Sequence, residues 1–218
     1  MRRTIGASES SSIYLLGICV GSLLSLFLSL ALRNVSATLD GMSVYSWCGY
    51  AIMQVGFIAT VFVYTRVRKV DVVSVAKIKG KLNPVQIVIL PFIAIATILV
   101  FLPLANAWSA FLGIIGYHGA GVSMPSFSNV GFYFLAIFVM AIMPAIGEEL
   151  FMRGTVFPGL ATRNIWFGVL MSGLFFSLMH ANPVQTVHQF GLGIVLALVV
   201  ALSGSIWASV IVHVINNF

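Results

Sequence analysis

Residues 144–154 read PAIGEELFMRG. Glu148, Glu149 and Arg153 are the charged residues of a run that is otherwise apolar from about Ser128 to Ala161. Working outward, the rest of the chain has the same character. Its 218 residues are 60% hydrophobic and 7% charged, with a mean hydropathy of +1.09. A typical soluble domain carries about 25% charged residues. The solvent for most of this chain is a bilayer, and each crossing takes about 20 apolar residues. The expected fold is an all-α, polytopic transmembrane helical bundle forming a single integral-membrane domain over 1–218.

Hydropathy places spans at about 12–32, 44–65 and 84–105, then from about 128, and at about 164–180, 185–203 and 205–218. That makes about seven helices. A Gly/Ser/Pro-rich loop covers 116–128, a break falls at ATRN (161–164), and SGS (203–205) marks a tight turn. The run from Ser12 to Leu32 exceeds the 7–15 residues of a signal-peptide core and reads as a retained first helix. The net charge is +6. Six of the eleven Lys and Arg residues lie between Arg66 and Lys81, between two spans. This is the positive-inside pattern of a membrane protein, not a nucleic-acid surface. Arg2, Arg3 and the 66–81 block belong on the cytoplasmic side, so the N-terminus is cytoplasmic. Cys19 and Cys48 both fall in spans and read as buried packing residues. Gly17, Gly21 and Ser25 form a small-residue stripe that suits close helix packing, and a homodimer through it stays open.

Polar residues return in FFSLMH (175–180) and HVINN (213–217). Glu149 and Arg153 are i and i+4 and pair on one helix face. Glu148 is rotated about 100° from Glu149 and points elsewhere. His213 and Asn217 share a face by the same spacing. If the fourth span is an unbroken helix, Glu148 lies roughly 20 Å above the turn near residue 162. His180 then lies roughly 25 Å up, and His213 and Asn217 roughly 14 and 20 Å. The four form a layer inside the membrane. Ionisable groups at such depth line cavities and mark function. Desolvation favours the neutral form of a carboxylate, a property that suits a general base. A histidine beside it can hold a water, and His/Asn donors can stabilise an oxyanion. The set also suits a metal, with Glu148, His180 and His213 as ligands to zinc or another divalent ion and one position open.

With these residues the chain resembles the CPBP family of intramembrane proteases, related to the CAAX prenyl endopeptidase and to bacterial bacteriocin-processing and self-immunity proteins. EELFMR (148–153) matches its E-E-x-x-x-R, FSLMH (176–180) its F-x-x-x-H, and HVINN its H-x-x-x-N. The resemblance covers about 128–218, the catalytic half. It implies Glu148 as the base that activates water with His180, and His213 and Asn217 as oxyanion stabilisers. Glu149, Arg153 and Phe176 are implied as supporting residues. Both metal-dependent and metal-free mechanisms are described for the family; the expectation here is no cofactor. Relatives commonly continue with a further helix after H-x-x-x-N, so an eighth is expected beyond Phe218. The implied partners are the lipid bilayer and a membrane-associated protein or peptide substrate, and the implied location a prokaryotic plasma membrane. The alternative is a proton- or ion-coupled transporter using the Glu/His cluster as a relay, against which no internal repeat is visible. His118 and His188 are expected to be loop or interfacial residues.

Overall fold

The computed structural model describes residues 4–119 and 123–218. Arg2, Arg3 and residues 120–122 of the expected loop lie outside the described residues. The fold is all-α. Helices α1 (Ala7–Leu32), α2 (Val44–Val67), α4 (Pro84–Ile114) and α5 (Val130–Ala161) are long and apolar enough to cross a membrane. So is the segment Pro183–Ser203, a single 3₁₀ turn followed by α7 (Thr186–Ser203). Helices α6 (Ile165–Met179) and α8 (Ile206–Asn217) are shorter, and α3 (Val72–Val75) is a single turn. Large apolar side chains such as Leu23, Phe27, Phe62, Phe92 and Leu99 face outward. Where lipid replaces water, such exposure carries no penalty, and close packing holds the helices together.

The third span runs nine residues past its expected end at 105, to Ile114. Asn83 caps its start through a hydrogen bond from the Gln86 amide. Pro91 and Pro103 sit within it without ending it, because neighbouring helices and local adjustment re-satisfy freed carbonyls in a membrane. At 31 residues the helix is roughly 46 Å long. It exceeds the hydrocarbon thickness of about 30 Å, so it tilts or projects.

The fourth span is not an unbroken α-helix. It contains wide π turns over Ile137–Ile142 and Met152–Val156, each followed by a proline, Pro144 and Pro158. Proline lacks an N–H and clashes with the carbonyl four residues earlier. The i→i+5 pattern, seen where the Met143 N–H reaches Phe138 O and the Phe157 N–H reaches Met152 O, relieves that clash. Heights counted along an ideal helix therefore shift, because each π turn takes in an extra residue.

The small-residue stripe on α1 is spent inside the chain. A Cβ on Gly56 of α2 would stand 2.8 Å from Gly21 Cα, and the Ser25 hydroxyl contacts Met53 Sδ at 3.2 Å. The stripe packs α1 onto α2, so the homodimer it left open has no support from it. Cys19 faces outward and Cys48 is half-buried. The expected burial of both is corrected, since a small apolar thiol can face lipid as readily as core.

The basic block packs against the turn between α7 and α8. Ser205 Oγ donates to Gly80 O at 2.9 Å, and Trp207 Nε1 to Ile78 O at 2.8 Å. That end of the bundle carries the 66–81 cations. At the other end, Asp40 and Gly41 turn a minimal hairpin, β1 (Thr38–Leu39) and β2 (Met42–Ser43). The Asp40 carboxylate accepts the Phe127 and Ser128 N–H groups at 2.8 and 3.1 Å. Desolvation pushes this carboxyl up, but the Ser128 and Phe127 hydrogen bonds outweigh it and hold the group below its ordinary range.

Candidate active site

Helices α2, α5, α6 and α8 bound a cavity of about 480 Å³ at the end of the bundle away from the basic block. Glu148, His180, His213 and Asn217 all line it. Their elements bring them there in different ways. Glu148 lies on the α-helical stretch between the two π turns of α5. His180 is the C-cap of α6, which ends inside the bundle. Its 15 residues give roughly 22 Å, short of a full crossing. Ala181 then takes a left-handed conformation (φ 48°) that turns the chain away. His213 and Asn217 lie one turn apart on α8.

The consecutive glutamates have separate surroundings. Glu149 and Arg153 are both 0% exposed, and Arg153 Nη1 donates to Glu149 Oε1 at 2.9 Å. The i,i+4 spacing realises this pair. Arg153 Nη2 donates to the Gly193 carbonyl at 2.9 Å, and the guanidinium lies 4.4 Å over the Phe176 ring. His213 Nδ1 is 2.9 Å from the same Glu149 oxygen. Glu148, 8% exposed, turns instead to the cavity. Its Oε1 accepts from Gln54 Nε2 at 3.1 Å, and its Oε2 is 3.8 Å from His213 Nε2.

These contacts fix the histidine tautomers. A carbonyl only accepts, so His180 Nδ1, 2.7 Å from Phe176 O, carries its proton and donates. Its Nε2 is left as the ring's acceptor. The carboxylate of Glu149 likewise draws the Nδ1 proton of His213. Phe176 stands edge-on to both imidazoles, at 5.0 Å from His180 and 5.5 Å from His213. It holds the rings apart and shields the ion pair.

One site residue escaped the sequence reading: Gln54, which sits in an apolar span with no motif around it. His188, expected to be a loop or interfacial residue, is half-buried on α7 and hydrogen-bonded through Nε2 to Asn216 Oδ1 at 2.9 Å, so it braces α7 against α8. The remaining lining is apolar and aromatic, including Tyr50, Met124, Phe127, Tyr133, Met140 and Phe218. Among the described residues no three His, Cys, Asp or Glu side chains group as a metal site. The alternative ligands Glu148, His180 and His213 all border the cavity.

A family model described as "Type II CAAX prenyl endopeptidase Rce1-like" matches residues 130–218. Over that segment, 89 of the 218 residues, the chain is similar to the Rce1-like family. The matched residues hold Glu148, Glu149, Arg153, Phe176, His180, His213 and Asn217. No curated protein and no solved structure matches the chain. The Rce1-like segment supports a membrane-embedded peptidase in general terms. The long apolar helices make it an integral membrane protein.

Proposed function

We propose that this protein is an intramembrane endopeptidase that hydrolyses a peptide bond of a membrane-associated protein or peptide with water activated by Glu148. The observation that carries the reading is one cavity bordered by Glu148, His180, His213 and Asn217, within an Rce1-like segment. Glu148 Oε2 takes a proton from water and returns it to the leaving nitrogen. His180 Nε2 accepts the other hydrogen of that water and orients its lone pair. The Asn217 amide donates to the oxyanion of the tetrahedral intermediate. His213 Nε2 faces the same oxyanion, with Nδ1 held by Glu149. Water activation of this kind needs no Ser or Cys nucleophile.

The lining supports an apolar, uncharged substrate segment near the cut, because Glu148 is its one Asp, Glu, Lys or Arg among the described residues. The mouth lies opposite the 66–81 cations. Under the positive-inside rule it faces away from the cytoplasm, and the peptide is presented from that side or from within the bilayer. The test uses purified full-length protein in proteoliposomes with a panel of membrane-anchored peptides, read by mass spectrometry. Cleavage by the wild type and none by Glu148→Ala or His180→Ala is expected. Cleavage that survives both changes overturns the reading.

A further inference from the structure

Gln54 belongs to α2, in the half of the chain that the Rce1-like match leaves uncovered. It is 4% exposed in an otherwise apolar stretch of helix. An amide there is costly unless it is hydrogen-bonded. Its Oε1 has no hydrogen-bond partner among the described residues, so the contact that accounts for it is the one its nitrogen makes. That nitrogen donates to Glu148 Oε1 at 3.1 Å. The opposing helix is shaped to allow this. A Cβ on Gly147 would stand 2.5 Å from Gln54 Oε1 and 3.1 Å from Gln54 Cβ. Only a residue without a side chain lets the amide lie over α5 and reach Glu148. Gln54 also borders both cavities that meet at Glu148, the second of about 540 Å³.

We propose that Gln54 is a positioning residue for Glu148, holding one carboxylate oxygen so that the other faces the cavity and His213 Nε2. This rests on Glu148 being the base. A glutamate side chain left free samples several rotamers, and few of them aim Oε2 at a bound water. His180 from α6 and His213 from α8 border the same cavity, but neither grips Oε1. The rotamer of the base is therefore set by a residue of the first half of the chain. A role in the chemistry follows for α2, which carries none of the three motifs.

The test compares full-length wild type, Gln54→Met, Gln54→Asn and Glu148→Gln in proteoliposomes, with a membrane-anchored peptide that the wild type cleaves. Gln54→Met keeps the side-chain length and removes the donor. Gln54→Asn keeps the amide one methylene short of its partner. Thermal unfolding in detergent checks each fold. The expected result is a fall in kcat of about 10- to 100-fold, the scale of a catalytic group misplaced by about an ångström, with KM within about twofold of wild type. If Gln54→Met does not fold, Gln54→Asn gives the reading by the same criterion. A folded variant with wild-type kcat overturns the proposal, as does a loss confined to KM. Wild-type cleavage by Glu148→Gln would remove the base itself and this inference with it. An inactive Glu148→Gln beside fully active Gln54 variants would remove this inference alone.

Discussion

His213 Nδ1 lies 2.9 Å from Oε1 of Glu149, the same oxygen that accepts from Arg153. Glu149 is thus more than half of a neutralised pair. It orients the imidazole whose other nitrogen faces Glu148. The two adjacent glutamates should then fail in different ways. Glu148→Gln is expected to abolish cleavage and leave the melting temperature near wild type. Glu149→Gln should lower both, since it leaves the buried Arg153 without its counter-charge. Parallel cleavage assays and unfolding curves check this, and equal behaviour of the two variants would refute it.

The buried pair also allows a coupling test. Arg153→Met alone should cost roughly 3–5 kcal/mol, because it strands a buried carboxylate. The double change Arg153→Met with Glu149→Leu should recover much of that stability, since an apolar pair of similar volume is often neutral in a core. Cleavage should stay low in the double variant, because His213 has lost the acceptor that fixes its tautomer. Recovery of both stability and cleavage would show that Glu149 has no orienting role.

Asp40 ties the segment carrying Met124 and Phe127 to the hairpin, and both residues line the cavity. Asp40→Ala should raise KM several-fold with little change in kcat. The carboxyl is held below its ordinary range in the folded protein, so the sign of the pH effect is fixed. The tether is complete above the unfolded carboxylate value of about 3.9 and is lost as pH falls through the lower folded value. Protease sensitivity of the 123–129 segment should therefore rise in Asp40→Ala at neutral pH. In wild type it should rise only in strong acid.

The orientation is directly measurable. With Cys19 and Cys48 changed to Ala, Met124→Cys should react with a membrane-impermeant maleimide on intact cells. Lys79→Cys should react only after permeabilisation. The reverse pattern would put the cavity mouth on the cytoplasmic side and the basic block outside.

Chelator treatment tests the proposed role of Glu148 as the base. Cleavage should withstand prolonged dialysis against a strong chelator, and metal analysis of the active protein should find less than one divalent ion per chain. Loss of cleavage on chelation, restored by zinc, would overturn water activation by Glu148 alone.

Much of this protein can be read without coordinates. Hydropathy gives the bilayer and the apolar helices, because each crossing must bury its own backbone hydrogen bonds in a helix, but α6 and α8, read as spans, are too short to count among the five segments that can cross. The Glu149–Arg153 pair follows from i,i+4 spacing, a local property of helical period. Tertiary structure decides what crosses between helices. The contact between His213 and Glu149 joins residues 64 apart in the chain, and that between Gln54 and Glu148 joins residues 94 apart. No local pattern encodes either one. The small residues on α1 announce close packing, yet only the fold shows that α2 receives them. Pro144 and Pro158 warn of irregular helix, but only the fold shows the wide turns at Ile137–Ile142 and Met152–Val156. The sequence determined the solvent, the elements and the polar cast. The packing of α2 and α8 against α5 decided which glutamate meets the cavity, because a carboxylate's role depends on partners brought from elsewhere in the chain.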